Sequence, residues 1–285
     1  MDALYHLHRA AESGSPADVA RLAREVGDAD TLADGRSALW IAVWARRDDN
    51  ARALVEAGAD PWLPMMGGWS PARLSLAGPT PELFGEAREA LSADEEAAVA
   101  AAPGLIAALD AIDDDGWSVC CVGGIDTDEA LRRLAAAELP GMPDYDSEEW
   151  DDLDLDILGF TDVPGGLVVA QPWAYGANAP VVTALLSAGT VAYAMYANPK
   201  SGDQGSAYRD GAMVGGDLNP AGWPEADDSP AEILRTYLYQ YASPAYCCAY
   251  AGVHPPDSGA FLEPHRWARL PERDYWAVPS AAAIP

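Results

Sequence analysis

Lysine is almost missing from this chain of 285 residues: Lys200 is the only one, and it joins the arginines in a basic set of 17 against 45 acids. The resulting net charge of −28 repels free nucleic acid and steers basic partners toward the surface, an attraction that salt weakens. The same charge also keeps an Ala-rich chain soluble, whatever it binds. Cysteine is scarce too, and the four present form adjacent pairs, Cys120-Cys121 and Cys247-Cys248. That arrangement lacks the Cys-x-x-Cys spacing that brings two thiolates to one zinc, and it argues against a disulfide framework. On a strand, neighbours point to opposite faces, so one cysteine of each pair is expected in a core. The chain opens without a basic segment and apolar run, and no stretch reaches ~18 uninterrupted apolar residues. A cytoplasmic protein without a membrane span is expected. Phosphate-loop, Gly-x-Ser-x-Gly, His-Glu-x-x-His and dinucleotide fingerprints are all absent.

What the chain does hold is apolar residues, 49% of the total, and length enough for about two domains. Charge divides unevenly between the halves. Residues 1–100 carry nine Arg against 17 acids, net −8, which leaves eight bases against 28 acids and net −20 for residues 101–285. The densest run extends from Asp144 to Asp162 and includes Glu148, Glu149, Asp151, Asp152, Asp154 and Asp156, with no base among them. Trp150, Leu153, Leu155, Ile157 and Phe160 are interleaved. Such a segment suits docking on a basic partner, with apolar anchors set among carboxylates; the competing expectation is a solvated loop pinned by Trp150 and Phe160. Asp152, Asp154 and Asp156 have the alternate spacing of half a calcium loop. Ile157 then stands where the turn glycine is required and Val163 where the bidentate Glu is required, which rules out an EF-hand and leaves at most loose divalent binding. His6, His8, His254 and His265 show no metal spacing. No catalytic residue, metal or cofactor is therefore assigned.

Ser37-Ala-Leu-Trp-Ile-Ala42 and Ser70-Pro-Ala-Arg-Leu-Ser75 are similar turn-then-helix phrases 33 residues apart. Gly58-Ala59-Asp60 stands where a second helix would close, and Leu7-His8-Arg9-Ala10-Ala11 supplies an earlier copy. Helices are expected near 37–45 and 50–57, and another over Pro81–Leu91. Over roughly residues 4–90 the sequence resembles the ankyrin-repeat family, with about three units. That resemblance implies recognition through turn tips and first helices. By position it puts Asp34 and Arg36 on one tip, Met66 and Trp69 on the next, and Trp44 on the exposed side of a first helix. Trp44, Met66 and Trp69 are the preferred contact patch, with burial in a core as the alternative for the tryptophans.

In the second half, strands are expected at 117–122, 167–171 and 190–197 and on both sides of the turn Arg209-Asp210-Gly211. Asp126 is placed to cap a helix, Pro180 to open another, and Ser229-Pro-Ala-Glu232 to form a capping box ahead of a stripe of Ile233, Leu234, Tyr237, Leu238 and Tyr241. Asp115-Gly-Trp-Ser-Val-Cys and the later Ala-Gly-Thr-Val-Ala-Tyr-Ala-Met-Tyr-Ala-Asn198 resemble a family of uncharacterised actinobacterial domains over about 115–225, which implies no reaction.

The expected architecture is an α-helical ankyrin-type solenoid (1–92), a helical connector (93–112) and an acidic α+β domain with a mostly antiparallel sheet (113–285). The expected function is non-catalytic recognition, as in an immunity or antitoxin-like protein that binds and neutralises a basic protein, with no nucleic acid and no membrane. An ankyrin adaptor or scaffold in a bacterial regulatory or defence system is the alternative. An enzyme or small-ligand sensor built on Tyr193, Tyr196, Tyr237 and Tyr241 ranks behind both.

Overall fold

The computed structural model describes residues 3–112, 116–142 and 155–277. The chain first forms helices α1 (Ala3–Ser13), α2 (Pro16–Val26), α3 (Ala38–Trp44), α4 (Asp48–Glu56), α5 (Pro71–Leu76) and α6 (Ala93–Leu109). Then follow β1 (Ser118–Gly123), α7 (Thr127–Leu134), β2 (Ala137–Leu139), β3 (Ile157–Val163), β4 (Gly166–Gln171), α8 (Pro180–Leu186), β5 (Val191–Asn198), β6 (Gly202–Arg209) and β7 (Ala212–Asp217). The last elements are α9 (Pro230–Leu238), α10 (Ser243–Ala251), α11 (Gly259–Leu262) and β8 (Arg266–Arg269). Contacts divide the chain into two compact units, Met1–Ala101 with Trp223–Leu238, and Ala102–Gly222 with Tyr239–Pro285.

The expected ankyrin-type solenoid followed by a mostly antiparallel α+β domain is corrected by this arrangement. Among the described residues there are eleven α-helices, concentrated toward the N-terminus, and one eight-stranded antiparallel sheet in the C-terminal half. Two local causes separate expectation from structure. The repeat pattern ends early, because Gly78-Pro79 stops the chain just after α5 and the expected helix over Pro81–Leu91 is turn and bend instead; proline lacks the amide that a continuing helix needs. The helical unit is also discontinuous in sequence, taking in residues 223–238 from between β7 and β8.

In the first unit, Ser15, Ser37 and Ser70 cap α2, α3 and α5 by accepting the amides of Asp18, Trp40 and Arg73. Buried Asn50 of α4 donates through Nδ2 to the carbonyls of Ala10, Ala11 and Gly14, at 3.1–3.2 Å, and so satisfies the end of α1. The Asp30 carboxylate, in the turn after α2, accepts the Asp60 amide from the turn after α4. Ser92 and Glu95 exchange hydrogen bonds as a capping box for α6, and the same Glu95 binds Arg73 of α5 at 2.8 Å.

In the second unit the sheet order is β2-β8-β3-β4-β1-β5-β6-β7, and all neighbours are antiparallel. Alternate residues of the central strands divide between two covered faces, as the period of two requires. Cys120, Val122, Leu158, Phe160, Val169, Ala192 and Ala194 pack with Ala130 and Leu134 of α7 and Val182 and Leu186 of α8. The opposite residues Cys121, Tyr193 and Met195 meet α10. Cover on both sides explains why β1 and β4 read as continuous apolar runs rather than alternating ones. The hairpin from β6 to β7 turns at Asp210 (φ 51°) and Gly211 (φ 79°), the left-handed pair that a two-residue connection of this kind requires.

Candidate interaction surfaces

The first unit carries an aromatic face, and the chain itself fills it. Two turns define its upper rim. One closes through the Ala33–Arg36 bridge, with Asp34 (φ 49°) and Gly35 (φ 74°) at the tip; the other closes through the Met65 amide and Trp69 carbonyl. Below them the Trp40 and Trp44 rings stack at 6.2 Å, Trp223 stacks on Trp44 at 5.7 Å, and Tyr237 of α9 lies against Trp44 at 5.4 Å. The Trp69 indole donates through Nε1 to the Pro230 carbonyl at 2.9 Å. Gly67, at φ 55°, leaves room for Ile233, whose Cδ1 would lie 2.7 Å from any Cβ placed there. Arginines lie over three of these rings: the guanidinium of Arg36 stands 5.3 Å from the ring centre of the part-exposed Trp223, Arg46 5.9 Å from Tyr237, and Arg73 4.2 Å from Trp69. Burial pushes the Tyr237 hydroxyl up to about 12, with Arg46 opposing the shift.

Trp44, Met66 and Trp69 are consequently 2%, 4% and 0% exposed. They share one surface, but residues 223–238 occupy it, so they make an internal packing face rather than an open contact patch. Arg36 is committed to Trp223, whereas Asp34 stays exposed at its turn tip. The capping box was a visible sign of the covering helix, since the Ser229 amide donates to Glu232 and the Glu232 amide to Ser229 Oγ. What the sequence could not supply was its destination. The stripe also ends earlier than expected: α9 stops at Leu238, and Tyr241 is 87% exposed.

Of the acidic run, Glu148, Glu149, Trp150, Asp151, Asp152 and Asp154 lie outside the described residues. Asp156 binds Arg269 at 2.7 Å, and its carbonyl accepts the Leu270 amide. Ile157 and Phe160, expected as anchors in a docking segment, are buried in β3 instead. Asp162 accepts from both the amide and the hydroxyl of Thr127, at 2.7 and 2.8 Å, which fixes the start of α7. Arg266 of β8 binds Glu138 of β2 and Asp128 of α7, both at 2.7 Å. The near end of the run is thus structural.

The tyrosines considered for chemistry belong to both units. Tyr237 belongs to the first unit and Tyr193, Tyr196 and Tyr241 to the second, where Tyr193 and Tyr196 fall on opposite faces of β5. A cavity of about 440 Å³ in the second unit is lined by Asp156, Arg269, Leu270, Arg273, Tyr275 and Trp276 among others, with no Ser, Thr, Cys or His in its wall. Among the described residues no three His, Cys, Asp or Glu side chains are gathered as metal ligands, and no helix is long and apolar enough to cross a membrane. No family model, curated protein or solved structure matches the chain.

Proposed function

We propose that this protein is a non-catalytic, cytoplasmic recognition protein for a cationic partner, in the manner of an immunity or antitoxin-like protein that neutralises a basic protein. The observation that carries this reading is the distribution of charge. Acids outnumber bases 45 to 17, and much of the small basic set already serves the fold. Arg21, Arg52, Arg73, Arg132, Arg133, Arg266 and Arg269 are paired with carboxylates of the same chain, while Arg36 and Arg46 lie on aromatic rings. An approaching molecule therefore meets a field that is negative on balance, which accelerates the capture of cations and disfavours polyanions. The filling of the aromatic face moves support from the tryptophans to the carboxylates.

Affinity capture with the whole chain at low and at high salt tests the reading. Strongly basic proteins should be retained at low salt and released at high salt; retention of acidic proteins only, or of none, overturns it. The adaptor alternative keeps one supporting observation, the exposed Asp34 at the tip of the turn closed by the Ala33–Arg36 bridge. Under that reading Asp34→Lys abolishes capture, whereas a distributed field loses little from one reversal.

A further inference from the structure

We infer that Cys121 and Cys248 form a redox modification site, at which a small uncharged peroxide closes a reversible disulfide between β1 and α10. This inference is independent of the recognition reading. All four cysteines are free thiols and all are buried, but only this pair is brought together, with Sγ atoms 3.7 Å apart across 127 residues of sequence. The approach is built into both elements. Gly123 lies two residues beyond Cys121 on the same face of β1, and Ala251 lies one helical turn beyond Cys248 on α10. A Cβ at Gly123 would stand 2.5 Å from the Ala251 carbonyl oxygen, so only glycine admits the helix backbone so close to the strand. Gly165, at φ 94°, grants the same closeness to the Gly252 carbonyl. Together they press the end of α10 onto the sheet, and the sulfurs one turn back come into contact.

The neighbouring cysteines are differently placed. Cys120 belongs to the core beneath α7 and α8, and Cys247 Sγ contacts the Met195 thioether at 3.8 Å. Oxidation proceeds in two balanced steps. One thiolate attacks a peroxide oxygen, the O–O bond breaks, and the departing hydroxide takes a proton, leaving a sulfenic acid and water. The second thiol sulfur then attacks the sulfenic sulfur, the S–O bond breaks, and its proton leaves with the hydroxide as a second water. In total two thiols and one hydrogen peroxide give one disulfide and two waters. Burial holds the Cys121 thiol well above its ordinary range, so the first step is slow and passes through local opening of α10.

The chain treated with hydrogen peroxide, then unfolded and alkylated, should lose two of its four thiols and the mass of two hydrogens, and regain both with dithiothreitol. Tandem mass spectrometry should place the link at Cys121–Cys248. The link should persist in Cys120→Ala and Cys247→Ala and vanish in Cys121→Ser; in Cys248→Ser, dimedone should trap a sulfenic acid on Cys121. Four intact thiols after peroxide, or a link through Cys120 or Cys247, overturns the inference. Fragmentation between the adjacent cysteines decides the question on the unmodified chain if a variant does not fold.

Discussion

At Trp69 three interactions meet: full burial, a hydrogen bond to the Pro230 carbonyl, and the Arg73 guanidinium over the ring. Trp69→Ala should therefore lower stability by about 3–5 kcal/mol in guanidinium unfolding, since it removes a large core side chain. Trp69→Phe keeps a ring but leaves the carbonyl without its donor, and should cost about 1–3 kcal/mol. A loss below about 1 kcal/mol in the alanine variant would mean that residues 223–238 are not held by this side chain. Individual residues were partly legible in the sequence. Ser37 and Ser70 cap helices as their spacing indicates, because a cap is settled within three residues of chain. The burial of Trp69 was not legible, because its partner lies 161 residues away.

Between elements, Glu129 links two helices. Its carboxylate accepts from Arg132 and from Arg133 on α7, and Arg133 in turn donates to the Leu186 and Ala188 carbonyls at the end of α8. The hydrogen bonds from the two arginines, first Arg132 and then Arg133, hold the Glu129 pKa at about 2, against an ordinary 4.5. A carboxylate depressed in the folded state contributes stability that is fully present above the unfolded value and is lost as pH falls through the folded one. Glu129→Gln should therefore be less stable than the parent at neutral pH, with the difference shrinking below pH 4.5 and gone near pH 2. Unfolding midpoints measured across that window check this; a difference that stays constant down to pH 2 would refute it. Elements with their own signals were legible: the capped α7 and α9, the strands β1, β4 and β5, and the Asp210-Gly211 hairpin. Missed elements lacked a signal or carried a misleading one. Every face of α10 is largely covered, so it shows no amphipathic period, and Cys247-Cys248 reads equally well as strand. β3 looked like the tail of an acidic loop because Asp156 and Asp162 flank its buried Ile157–Thr161 core.

For the molecule as a whole, a net charge of −28 sets carboxylates against one another in the folded state. Screening relieves that repulsion, so the thermal midpoint should rise between about 10 mM and about 500 mM sodium chloride, as the Debye length shrinks from ~30 Å to a few Å. An unchanged or lower midpoint would show that ion pairs such as Arg266 with Glu138 outweigh the repulsion. The helical unit leads to a second prediction. Residues 1–101 expressed alone should bind a hydrophobic dye and unfold without cooperativity, and a peptide of residues 223–238 added in trans should restore a sharp transition; cooperative unfolding of 1–101 by itself would refute this. Charge imbalance could be read from composition. Discontinuity could not, since no local propensity reports that a segment crosses from one unit to complete the other.

That discontinuity also sets a timetable during synthesis. Trp40, Trp44 and Trp69 leave the ribosome early, while Trp223 and Tyr237 are translated more than a hundred residues later. At about 5–20 residues per second the aromatic face waits on the order of ten seconds for its cover. A newborn chain thus passes through an interval in which it is a client for any chaperone that grips exposed rings, and slow codons between residues 101 and 238 would lengthen that exposure without altering a single amino acid.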